Sequence, residues 1–166
     1  MDDGRIGMSD DVKTMSDEEV LARIVHLGFG GNQECFATFC AKLRAGLPPG
    51  TGVALRGSVV TSERWTDGAP FDADGAGTSD LDVTLIGNAV MECWEAEAFY
   101  IPLLHTKPLS DKDPYCARPL NDLREELQGL VGRPVAFQAT NNWVLFARDV
   151  LLGQPYFMLF EPDAAA

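Results

Sequence analysis

The stretch Ser79-Asp80-Leu81-Asp82-Val83-Thr84-Leu85-Ile86 decides how this chain is read. Leu81, Val83 and Leu85 alternate with Asp82, Thr84 and Ile86, a period of two that predicts a strand bounded by Gly87-Asn88. On such a strand Asp80 and Asp82 leave the same face, with Cα atoms about 7 Å apart, while the leucines and Val83 point into a core. One face of this strand therefore carries packing and the other carries charge.

Upstream, Ser16 followed by Glu19 makes a capping box, and Met15 with Val20 stands where a hydrophobic staple belongs. The helix predicted there presents Val20, Leu21, Ile24 and Leu27 and ends in Gly28, Gly30 and Gly31. A second helix over residues 33–45 sets Cys35, Phe36, Phe39, Cys40 and Leu43 on one side and stops at Gly46 before Pro48-Pro49. Val53-Ala54-Leu55 reads as a short strand running into Arg56-Gly57-Ser58, with a short helix from Val59 to Trp65. Gly, Pro, Ala and Asp then dominate a loop over about 66–78.

Downstream, a helix is expected from about Val90 to Tyr100, then an irregular, proline-bearing insertion over about 102–119. A helix over Asn121 to Leu130, a strand over Val135 to Ala139 and a helix over Trp143 to Leu152 follow, and Tyr156 to Phe160 is a final strand or an extension of packing. This order predicts an α/β or α+β layered domain, a small sheet flanked by helices, spanning residues 16–163 after an acidic, flexible tail over 1–15.

The 166 residues amount to one domain, and 46% apolar with 23% charged residues is the composition of a chain that folds around a core. Thirteen basic residues against 25 acidic ones leave a net charge of −12, which repels phosphate backbones and excludes non-specific nucleic-acid binding. Two short stretches carry most of that excess. Residues 1–19 hold seven acidic and two basic side chains, and residues 66–82 hold five acidic and no basic ones. No apolar run is long enough for a membrane span, the acidic N-terminus is unlike a secretory signal, and Cys35, Cys40, Cys93 and Cys116 have no metal-finger spacing. A cytoplasmic chain with reduced thiols is expected.

Two like charges held that close raise each other's pKa unless a cation neutralises them. Carboxylate oxygens at this spacing suit Mg²⁺, which takes one or two carboxylates together with substrate phosphates. Gly57-Ser58 falls where a strand passes into a helix, where free N–H groups favour a phosphate; Gly57 permits close backbone approach and Ser58 adds a hydroxyl.

Leu55-Arg56-Gly57-Ser58, a loop, and Thr78-Ser79-Asp80-Leu81-Asp82-Val83-Thr84-Leu85 together resemble the signature of the DNA polymerase β-like nucleotidyltransferase superfamily, in particular its minimal, single-domain bacterial members. The resemblance covers about Val53 to Ala139, with Trp143 to Leu152 in the place of the closing helix. It implies a small mixed sheet of nucleotidyltransferase-like fold, Gly57 and Ser58 on the phosphates of an NTP, and Asp80 and Asp82 as the catalytic ligands of Mg²⁺ or Mn²⁺. The implied activity moves a nucleoside monophosphate from an NTP, such as ATP, to a hydroxyl of a small molecule or protein.

The sequence departs from the family pattern twice. The 21 residues from Val59 to Ser79 make a longer spacer than the family uses, and the extra length falls in a loop, where insertions are tolerated. The third strand, Val135-Ala136-Phe137-Gln138-Ala139, lacks the expected third carboxylate, and Gln138 is its candidate site position. An amide orients a group but takes no proton as a carboxylate does. The base then comes from elsewhere, with Asp72 and Asp74 as candidates, or the site binds without turnover as a regulatory, antitoxin-like module with a protein partner.

Other side chains carry bland expectations. Arg56, Arg64, Lys107 and Arg118 each suit a triphosphate or a solvated surface, Asp72-Ala73-Asp74-Gly75 is an acidic turn lacking the later ligands of a calcium loop, and His105 is a loop polar residue. Trp65, Trp94 and Trp143 are expected in the core or at its edge.

Overall fold

The computed structural model describes residues 8–164. Within them, α1 (Met8–Thr14), α2 (Asp17–Phe29), α3 (Gln33–Gly46), β1 (Gly52–Arg56), α4 (Ser58–Thr61), β2 (Leu81–Ile86), α5 (Asn88–Met91), β3 (Phe99–Ile101), β4 (His105–Thr106), α6 (Arg118–Val131), β5 (Val135–Thr140), α7 (Asn142–Leu152) and β6 (Tyr156–Phe160) follow in order. The strands form one mixed sheet in the order β3-β4-β5-β2-β1-β6. β2 runs parallel to β5, whereas β1 is antiparallel to both β2 and β6. The mixed α and β class expected from the sequence is present.

The capping box at Ser16 forms as read: the Ser16 hydroxyl accepts from the Glu19 N–H and the Glu19 carboxylate from the Ser16 N–H. Gly30, at φ 60°, closes α2 in the left-handed conformation. Val20, Ile24 and Phe29 of α2, with Phe39 and Leu43 of α3 and Leu120 and Leu127 of α6, bury the sheet face formed by Val53, Leu55, Leu81, Val83, Leu85, Val135, Phe137 and Ala139. At Gly28 a Cβ would stand 3.0 Å from Val59 and 3.1 Å from Leu81, so α2 presses directly on α4 and the start of β2. The opposite sheet face is thinner: Ala54, Ile86, Tyr156 and Met158 are covered by Leu145 of α7.

Several expectations need correction. Residues 1–7 of the expected tail lie outside the described residues, but residues 8–14 form α1, and Asp11 pairs with Arg23 at 2.7 Å. The helix expected from Val90 to Tyr100 is a single turn. Trp94 donates its indole N–H to the Lys107 carbonyl, and the β-formers Phe99, Tyr100 and Ile101 leave as a strand that pairs with β4. The insertion over 102–119 likewise contains β4 and the proline-bearing first turn of α6. The helix expected from Val59 to Trp65 ends at Thr61, where Ser62 turns left-handed at φ 68°. Trp65 and Trp143 are 62% and 68% exposed; Trp94 alone of the three tryptophans is in the core. All four cysteines are free.

No helix among the described residues is long and apolar enough to cross a membrane.

Candidate functional site

The register of the three central strands builds the site. Arg56 of β1 is paired with Asp82 of β2, and Asp82 in turn with Ala136 of β5, so these residues form one row across the sheet. Alternation puts their side chains on the thinly covered face, opposite Leu55, Leu81, Val135 and Phe137. Gly57 follows Arg56 at φ 75°, and a Cβ there would lie 2.7 Å from Asp82 Oδ2. A side chain at 57 would be strained by its backbone and would also crowd the carboxylate. The strand pairing thus brings Gly57, Ser58, Asp80 and Asp82 together, as the sequence motifs required, and all four line one cavity of about 250 Å³ with Arg56 and Arg148.

Asp80 immediately precedes β2, and its position depends on the long loop before it. Asp72 organises that loop. Its carboxylate accepts from the N–H groups of Ser79 and Gly77 at 2.9 and 3.1 Å, its own N–H donates to the Ser79 hydroxyl, and it takes both outer nitrogens of Arg133 at 2.9 and 3.1 Å. Arg133 also donates to the carbonyls of Ser79, Leu27 and Gly28 and lies 4.6 Å over the Phe71 ring. The guanidinium therefore ties the loop, the end of α2 and the residue before Asp80 into one unit. Burial acts to raise the Asp72 pKa, but the Arg133 guanidinium and the two N–H groups outweigh it and hold the carboxyl down at about 2. A carboxylate so fully engaged is no general base. Asp74 is also committed, to Arg64 at 2.7 Å.

Asp82 is in the opposite situation. Burial, and then the charge of Asp80, push its carboxyl well above the usual carboxylate range, against the pull of Arg56 and Arg148. Arg56 is itself pushed down to about 10, by burial and by the neighbouring charge of Arg148, and its Nε is buried with no hydrogen-bond partner among the described residues. The guanidinium groups of Arg56, Arg64 and Arg148 thus share one cavity with the Asp80 and Asp82 carboxyls.

Gln138 is not among the residues that line the cavity. It is paired with Thr84, two residues further along the strands than the Asp82–Ala136 pair, and its amide donates to the Thr106 carbonyl at 2.7 Å and to His105 Nε2 at 3.2 Å. The residue beside Asp82 is Ala136, which has no polar side chain. His105, expected as an ordinary loop residue, lies in a polar cluster: Nδ1 donates to the Thr140 hydroxyl, Nε2 accepts from Gln138, and Arg148 approaches Nε2 at 3.4 Å. Burial, with the charges of Arg148 and Arg56, pushes the imidazole down to about 4, so it is neutral at physiological pH.

Of the four cations singled out in the sequence, Arg56 and Arg64 line the cavity; Lys107 and Arg118 do not, and Arg118 lies over the Tyr115 ring. Arg148 and Arg133 are the residues that sequence reasoning missed. Arg148 had a signal, being the lone cation in a mostly apolar helix, Trp143 to Leu152. Arg133, in Gly132-Arg133-Pro134, had none, because its partners are 54 to 106 residues away in sequence.

Among the described residues no group of three or more His, Cys, Asp or Glu side chains is placed to hold a metal ion. The donor set is two carboxylates that repel one another beside a glycine-lined opening. It fits a hard divalent cation that takes one or two protein carboxylates and completes its shell with phosphate oxygens and water. Comparison with protein-family models, with curated proteins and with solved structures finds no match to this chain.

Proposed function

We propose that the chain binds a divalent-metal nucleoside triphosphate and transfers its nucleoside monophosphate to an acceptor hydroxyl of a small molecule or protein. The observation that carries this reading is the convergence of Gly57-Ser58 and Asp80/Asp82 on one cavity, set by the pairing of Arg56 with Asp82. Asp80 and Asp82 would hold Mg²⁺ or Mn²⁺, which when bound neutralises the charge developing on the phosphates. Gly57 leaves room for a phosphate oxygen close to the backbone, Ser58 donates its hydroxyl, and Arg56 and Arg148 supply positive charge on the same wall. In the transfer the acceptor oxygen forms a bond to the α-phosphorus, the α–β bridging bond breaks, and pyrophosphate leaves with the bonding pair. The acceptor proton passes to solvent, since Ala136, the β5 residue beside Asp82, has no carboxylate to take it. The expected setting is cytoplasmic.

Ala136 favours a second reading, in which the site binds the nucleotide but turns it over slowly or not at all, and the domain regulates a protein partner in an antitoxin-like role. Incubation with labelled ATP, CTP, GTP and UTP in Mg²⁺ or Mn²⁺ separates the two. Pyrophosphate release by the wild type that disappears in Asp80→Ala/Asp82→Ala supports transfer. Nucleotide binding without release supports the regulatory reading, and release that survives the double substitution contradicts both.

A further inference from the structure

Trp65 occupies a position that packing does not explain. It is 62% exposed, although indole is among the most costly side chains to leave in water, and it lies in the loop beyond the left-handed turn at Ser62. That loop is held in place. The Arg64 N–H donates to the Ala69 carbonyl at 2.7 Å, the Phe71 N–H donates to the Ser62 carbonyl at 2.8 Å, and the Arg64 guanidinium is anchored to Asp74. Trp65 and Thr66 line the same cavity as Ser58, Asp80 and Asp82, which Gln154 and Pro155 also wall. The other exposed tryptophan, Trp143, differs in both respects: it stacks on Phe146 at 6.1 Å between ring centroids and does not line the cavity.

The charged groups of the cavity are taken up by the triphosphate and the metal in this reading, which leaves a flat, heteroaromatic base to be met by another side chain. An exposed indole on an anchored loop is suited to it, because every base offers a π-face and stacking on an aromatic side chain tolerates base identity. We infer that Trp65 is the base-stacking residue of this site, so that the chain binds a nucleoside triphosphate more tightly than a triphosphate without a base. The inference rests on the nucleotide reading of the cavity given above.

The test uses the full chain, the Mg²⁺ complex of the α,β-methylene analogue of ATP, which cannot be cleaved to pyrophosphate, and Mg²⁺ tripolyphosphate, which has no base. In a Trp143→Phe background, where Trp65 and the buried Trp94 are the remaining indoles, the analogue should quench fluorescence and tripolyphosphate should not. Trp65→Ala should weaken the analogue about tenfold and leave tripolyphosphate unchanged, and Trp65→Phe should recover most of the loss. Equal affinity of wild type and Trp65→Ala for the analogue overturns the stacking role while leaving the nucleotide site standing. Failure of the wild type to bind either probe overturns the stacking role and the nucleotide site together. Retained tripolyphosphate binding shows that Trp65→Ala is folded, and its loss in that variant contradicts a role confined to the base.

Discussion

Asp72 with Arg133 and Asp82 with Arg56 are the same pair of residue types put to opposite uses. In the first, the carboxylate and guanidinium meet directly, each takes further backbone partners, and the Asp72 carboxyl is held down at about 2. In the second, the carboxyl is pushed up, the guanidinium is pushed down to about 10, and Arg56 Nε has no partner among the described residues. The difference lies in who the neighbours are. Asp72 is surrounded by N–H donors, whereas Asp82 faces a second carboxylate and Arg56 faces a second guanidinium. A satisfied pair holds a loop in place; an unsatisfied group of charges is a common attribute of a site whose remaining partner is a ligand.

The contrast can be broken from either side, and the largest effect is expected at the lock. Arg133→Ala leaves Asp72 facing a vacated site and releases the Ser79, Leu27 and Gly28 carbonyls, so it should cost about 3 kcal/mol of stability, read as a shift of the urea midpoint. Asp82→Asn should do the reverse. A carboxyl raised above its unfolded value contributes stability below the unfolded pKa and loses it as pH rises, so the ionised Asp82 is a burden at neutral pH. Removing its charge should raise the stability of the metal-free protein by on the order of 1 kcal/mol at pH 7, with the gain vanishing below about pH 4. A loss of stability at pH 7 would show that Arg56 and Arg148 already satisfy Asp82.

A third effect is on the acid side. The depressed pKa of Asp72 contributes stability that is present above pH 3.8 and is lost as pH falls toward 2. His105, neutral in the fold down to about pH 4, adds a separate decline from about pH 6.5 to pH 4 as the unfolded chain takes up a proton that the folded chain refuses. His105→Gln should remove this contribution, so that between pH 6.5 and 4 the gain from protonating Asp82 stands unopposed while the loss below pH 4 is unchanged, a difference between variant and wild type visible in thermal midpoints measured across that range.

Much of the frame was legible in the sequence because local rules govern it. The capping box at Ser16 and Glu19, the glycine stop after α2, and the alternation of Leu81, Val83 and Leu85 all depend on residues a few positions apart. The Gly57-Ser58 and Asp80/Asp82 motifs were legible as motifs, and strand pairing brings them together. What was not legible depends on tertiary partners. The helix expected after Val90 gave way to a strand because of contacts with β4 and Lys107, and Trp65 left the core because the chain turns at Ser62. Register was equally hidden. Gln138 was the polar residue of its strand, but only the alignment of β5 with β2 shows that Ala136 stands beside Asp82 and that Gln138 serves Thr106 and His105 instead.

In the proposed reading Asp80 and Asp82 are held together for a metal-bound triphosphate. Isothermal titration of the wild type and of Asp80→Asn/Asp82→Asn with the α,β-methylene analogue of ATP, in Mg²⁺ and in EDTA, tests it most directly. Binding by the wild type that requires Mg²⁺ and falls at least a hundredfold in the variant is the predicted result. Binding unaffected by EDTA or by the double substitution, or no binding by the folded wild type, would contradict the account.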